Sequence, residues 1–320
     1  MSGYKVGIII VILLLLAGAG VFWLTQQTHS SLGYPTEATA SRRFMRLIGL
    51  AHTPREFMPI HSGAGAGHLY IAAYRYVCKM APSDQALNKI DEDDYPDKNP
   101  IILHLAKMLE DAATRSVSRR YILFSTTLRT PTVAEPITHR INAMTTAVSD
   151  LGEAYLLDKH YRRAHKVFQA VMSMGYRLWI HGLLINERSN GLGTMAGATT
   201  GLKQLYRKGK LKNKALRHEV SRFQRAVRET THRWLAKMKV IHVIDPNPAD
   251  MVNVIKHDAD ISWRLAAINE LGFARWSTPS RGTRNAIIAY LAKLERSKNP
   301  FVRQAAKLSL GLTASDMNTM

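Results

Sequence analysis

The chain is poor in acid, in cysteine and in strand-like patterning. Only 24 Asp and Glu stand against 44 Lys and Arg in 320 residues, a formal net charge of +20. One cysteine, Cys78, excludes an intramolecular disulfide. It follows Ile71, Tyr74 and Val77 at helical spacing, which predicts a buried structural thiol rather than a nucleophile. No long run alternates apolar and polar residues with period two, so the fold is predicted to be all-α. Chemical signatures are missing as well. The glycine-rich residues 61–68 lack the G-x-x-x-x-G-K-[ST] pattern of a phosphate loop. His218 and Glu219 begin like H-E-x-x-H, but Arg222 stands where the second histidine of a zinc site is required. Asp91, Asp93 and Asp97 hint at a calcium loop, yet no glycine makes its sharp turn and Ile102 replaces the bidentate Glu. An exposed acidic loop is the simpler expectation, with no cofactor, no metal, no small-molecule substrate and no catalysis.

What is present begins with residues 6–24, VGIIIVILLLLAGAGVFWL, which hold no charge. As a helix they would cover roughly 28 Å, about the hydrocarbon thickness of a bilayer. The expectation is a single-pass membrane anchor; the alternative is a cleaved signal peptide ending near Ala17, Gly18 and Ala19. Lys5 lies on one side and residues 25–41 have no Lys or Arg, so the N-terminus is expected in the cytoplasm and the remainder outside it. Residues 25–60 read as a polar tether containing Gly33 and Pro35. Beyond it a basic helical domain is expected over 61–244, a linker over 245–250, a second helical module over 251–313 and a frayed tail over 314–320.

Residues 145–176 carry the clearest motif: Leu151, Gly152 and Tyr155, then Tyr161, Ala164 and Phe168. They resemble the signature of one tetratricopeptide repeat, which implies two antiparallel helices crossing at Gly152 and Ala164 with Phe168 filling the space between them. The proline expected near the end of that repeat is replaced by Tyr176, and no second copy follows. Residues 177–206 are rich in small residues, including Gly182, Gly191, Gly193, Gly197 and Gly201. This predicts close helix packing with a break near Asn190 and Gly191. His181 and Glu187 are the nearest acid–base pair there, and they mark the site of the enzyme alternative.

Residues 210–239 form the most legible helix. Leu216, Val220, Phe223, Val227, Trp234 and Met238 share one face, while Lys214, Arg217, Arg225, Arg228, His232 and Lys239 fall opposite. Residues 201–240 hold 13 Lys or Arg against two Glu. Lys214, Arg217, Arg225, Arg228 and Lys239 are therefore candidate contacts for a partner or for a polyanion such as anionic lipid, envelope polymer or nucleic acid.

After the break at Pro246 and Pro248, DISWRLAAINELG (260–272) aligns with PFVRQAAKLSLG (300–311). Arg264 pairs with Arg303, Ala267 with Ala306, and Gly272 with Gly311, always 39 residues apart. The spacing and the R-x-A-A-x-x-x-L-G pattern resemble HEAT-type repeats, which implies closely stacked helix pairs tied together by the arginine. Taken together, these features predict an α-superhelical stack of helix pairs that binds a protein partner through its surface.

Overall fold

The structure, a computed structural model, describes residues 65–115, 134–207, 213–241 and 247–311, with backbone alone at 134–138 and 239–241. Eleven α-helices and no strand occur among these residues: α1 (Ala66–Met80), α2 (Asp84–Asp91), α3 (Pro100–Ala113), α4 (Ala134–Leu157), α5 (Tyr161–His181), α6 (Ile185–Leu205), α7 (Lys214–Ile241), α8 (Pro248–His257), α9 (Ile261–Ser277), α10 (Arg281–Leu294) and α11 (Pro300–Gly311). The all-α expectation holds.

The expected single-pass membrane location does not. Among the described residues no helix is long and apolar enough to cross a membrane. The long helices are amphipathic: α5 carries Arg162, Arg163, Lys166 and Arg177, and α7 is charged at nearly every turn. The expected anchor over 6–24, the tether over 25–60 and the tail over 314–320 lie outside the described residues.

Local rules explain where the helices start. Asn99, Asn247 and Asn299 each precede a proline at the first turn, and each side chain accepts a backbone N–H of the helix it opens. An asparagine cap satisfies an orphan donor, and proline there sacrifices none. Asp260 does the same for α9, accepting from Ser262 N at 3.0 Å. Asp93 serves the acidic loop internally, accepting from Tyr95 N at 2.8 Å and from Asn99 Nδ2 at 2.7 Å. That bond also steadies the cap of α3. This helix ends at Ala113 with Thr114 as its cap.

The centre of the fold is α5, buried along its length from Val167 to His181 apart from Gln169. It packs against α3, α4 and α6. The α5–α6 crossing is a backbone contact: a Cβ built on Gly191 would lie 2.6 Å from the Gly175 carbonyl oxygen and 2.6 Å from the Trp179 nitrogen. Only glycine at both positions permits that approach. The break expected near Asn190 and Gly191 is therefore absent, because α6 runs unbroken through them and the chain turns at 182–184 instead. Phe168 takes the place expected of it. Its ring lies against Gly152 on α4 and Gly201 on α6, both too close to admit a side chain. Leu151 and Ala164 are buried beside it, while Tyr155 is half-buried. Cys78 is half-buried rather than buried, because Val77 occupies the core position of that turn.

Arg177 is a buried cation near the end of α5. Although only 2% exposed, it reaches from α5 to two other helices. Its Nη1 donates to the Tyr70 hydroxyl on α1 at 2.9 Å and to the Ala112 carbonyl on α3 at 2.7 Å, and its Nη2 donates to the Arg115 carbonyl. The last turn of α3 has no basic residue of its own. The Ala112 carbonyl, which also accepts from the Arg115 N–H at 3.1 Å, and the Arg115 carbonyl just past the helix thus take a cation from a neighbouring helix.

Candidate interaction surface

The outer face of α7 is the feature on which the sequence reading placed its candidate contacts, and the structure separates them. Val220, Phe223, Ala226, Val227 and Trp234 are buried against the rest of the fold, with Gln224 Nε2 donating to Thr200 Oγ1 of α6 at 2.8 Å. Lys214, Arg225 and Arg228 are exposed, Arg217 is half-buried, and the Lys239 side chain lies outside what the structure describes. Arg222, His218, His232 and Arg233 are exposed on the same side and extend the set. Among the described residues no carboxylate comes within ion-pair distance of Arg222, Arg225 or Arg228. The nearest acid on this face, Glu229, sits 3.9 Å from Arg233 in a solvent-exposed pair, an arrangement that contributes little.

The second candidate, His181 with Glu187, resolves differently. His181 ends α5 and Glu187 stands in the first turn of α6. The Glu187 Oε2 accepts from the Leu183 N–H at 2.8 Å and the Leu184 N–H at 3.0 Å, closing the turn between the two helices. Complete burial raises its pKa to about 7 in spite of those two donors and of the neighbouring Arg188. The carboxylate is engaged by the backbone, which accounts for its presence at this turn without chemistry.

A raised carboxyl pKa sets the sign of a pH effect. Between the ordinary value of 4.5 and about 7 the folded state holds the proton that the unfolded state releases, so stability falls as pH rises through that window. The contribution is about 3 kcal/mol across the window. Glu187→Gln keeps an acceptor for the two N–H groups and removes the titration. Urea melts at both ends of the window should show the variant gaining on the wild type at the alkaline end by that amount; equal gaps at the two ends would exclude the assignment.

A cluster with no local signature in the sequence links α5 and α7 to the C-terminal helices. Trp179, Trp234 and Trp263 converge, with ring centroids 4.8 Å apart for the first pair and 4.4 Å for the second. Trp234 Nε1 donates to Ser189 Oγ at 2.8 Å, so its polar edge is satisfied inside the cluster. Two ion pairs flank it, Arg188 with Asp260 and Lys237 with Asp258. The Lys237 ammonium also lies 4.6 Å from the centre of the Trp263 ring. Lys237 is thereby occupied, unlike Arg222, Arg225 and Arg228 earlier in its own helix.

No family model, curated protein or solved structure matches this chain. Its surface chemistry and internal regularities therefore bear the functional argument. In the C-terminal module Arg264 Nε donates to the Ile255 carbonyl at the end of α8, at 2.8 Å. Arg303 Nη1 donates to the Ser297 carbonyl before α11, at 3.0 Å. The two arginines that align in sequence thus both reach back to carbonyls of the chain before their own helices, one in the last turn of α8 and one in the connection after α10. Ala267 and Ala306 are both buried. Gly272 lets α9 meet α11, since a Cβ there would lie 2.7 Å from that of Ser309. Gly311, its sequence counterpart, has nothing within 4 Å and makes no equivalent crossing.

Proposed function

We propose that the protein is a non-catalytic scaffold of tetratricopeptide- and HEAT-like helix pairs that binds a protein partner. The observation that carries this reading is the recurrence in α9 and α11 of one construction 39 residues apart: an Asp or Asn cap at 260 and 299, then an arginine at 264 and 303 turned back on the chain before it. Such units stack on their neighbours and leave outer helix faces available to other chains. The pair α4 and α5, meeting around Phe168, supplies a third unit of related design. The engagement of Glu187 by two backbone N–H groups further favours binding over catalysis at the α5–α6 turn.

Capture on the immobilised full-length chain, washed at low and then high salt, tests the proposal. A defined protein that stays bound at high salt, and that binds again as a purified component at a fixed ratio, is the expected result. Retention of nucleic acid or lipid alone, all of it eluted by salt, would sink the scaffold reading.

A further inference from the structure

We propose that the outer face of α7 binds the phosphate backbone of double-stranded nucleic acid. The proposal stands apart from the scaffold reading and rests on a regularity within α7. Lys214, Arg217 and Arg222 are followed, each eleven residues later, by Arg225, Arg228 and Arg233. Eleven residues make just over three turns, so the second trio lies above the first, rotated by only about 20° and displaced by about 16 Å. The set spans roughly 28 Å of helix axis. Five of the six are exposed and Arg217 is half-buried. They form a band of charge about 160° wide around the helix axis rather than a pocket.

The kind of anion follows from what surrounds the band. A protein partner needs large anchors to bury at the centre of an interface. Among the described large apolar residues of this helix only Leu235 is notably exposed, at 46%. A repeating cation array instead matches a repeating anion, and guanidinium groups take phosphate oxygens in bidentate fashion. Insertion into a lipid surface would require the apolar side of the helix, but that side is committed to the core through Val220, Phe223, Val227 and Trp234. Single strands are held by aromatic platforms, and Trp234, the only aromatic on α7 besides Phe223 apart from its histidines, is buried with it. A duplex needs neither insertion nor stacking. Phosphates border its grooves on both sides, and the major groove admits a structure of helix width. Contacts of this kind would read charge and shape, not base sequence.

The test uses the full-length chain and a fluorescent mixed-sequence duplex of about 20 base pairs, longer than the cation array. Anisotropy titrations over a range of sodium chloride concentrations should give a plot of log Kobs against log salt with a slope of about −5, as expected for six phosphate contacts. Arg225→Ala with Arg228→Ala should bring the slope up by about 2 and weaken binding at least tenfold at low salt. Exchanging Arg296 and Lys298, exposed at the opposite end of the chain, for Ala should leave both quantities unchanged. All three proteins should show the same thermal melt, because the exchanged side chains are exposed. No duplex binding at low salt overturns the proposal. So does an equal loss in the Arg296 and Lys298 variant, tighter binding of the single strand than of the duplex, or binding of phosphatidylserine vesicles in preference to the duplex.

Discussion

Replacing Arg177 with methionine is expected to lower the free energy of unfolding by about 2–4 kcal/mol, the loss expected when buried neutral acceptors are deprived of a charged donor. Methionine preserves much of the arginine stem, so the cost arises from the head group. Three acceptors lose the guanidinium: the Tyr70 hydroxyl and the carbonyls of Ala112 and Arg115, of which Ala112 keeps the Arg115 N–H at 3.1 Å. The carbonyls lie at the end of α3, where a cation opposes the negative end of the helix dipole. The Tyr70 ring also faces the guanidinium, 5.6 Å from its carbon. Lysine at 177 keeps the charge but has a single nitrogen for three acceptors on two helices, and should recover only part of the loss. Urea unfolding of the three proteins decides the matter. A methionine variant within 1 kcal/mol of wild type would mean that water replaces the guanidinium at no cost, contrary to the buried setting of the group.

Arg177 also shows why some of the structure could not be read from sequence. Within MSMGYRLWIH it looks like one more cation of a basic chain, and nothing local says that α3 will end beside it. Features governed by near neighbours were legible. The absence of period-two patterning gave the helical class, and the spacing of Val220, Phe223, Val227 and Trp234 gave the buried side of α7. The 39-residue offset carried through to matching caps, and both arginines bond backward, though Arg264 reaches nine residues back and Arg303 six. Glycine misled in one place and informed in another. At 191 it was read as a helix breaker, yet it remains helical because its missing side chain is what lets α5 approach. At 152 the same small size was read correctly as room for Phe168. The bonding of Glu187, the nearest acid to His181, was illegible for a different reason. Sequence proximity could not reveal that the carboxylate would close the turn on its own backbone. As for the α7 face, its positive charge was apparent from composition. Which cations are free of carboxylate partners required knowing that Lys237 turns toward Asp258 and Trp263.

Trp263→Ala should also be damaging, costing about 3–5 kcal/mol as for other buried aromatics cut back to the Cβ. Trp263 is 1% exposed and is the largest fully buried side chain. Its removal opens a cavity beside Trp234 and strips the Lys237 ammonium of the ring beneath it, a contact that contributes about 1 kcal/mol where partly desolvated. The loss falls at a particular place, because the tryptophans of α5 and α7 meet α9 through this ring. Helices α8–α11 should then lose their cooperative link to the helices before them, and a thermal melt followed by far-ultraviolet circular dichroism should split into two steps. Near-ultraviolet dichroism should fall as well, since Trp179 and Trp234 lose the third ring of the cluster. Trp276→Ala provides the comparison: that ring is 37% exposed and lies over Arg275 outside the cluster, so the exchange should cost under about 1 kcal/mol and leave a single transition. A single transition in both variants, with equal losses, would show that the three rings are neighbours without joining the two halves. A split confined to the Trp263 variant would locate the mechanical joint of the protein at the point where its basic helix meets the C-terminal repeats.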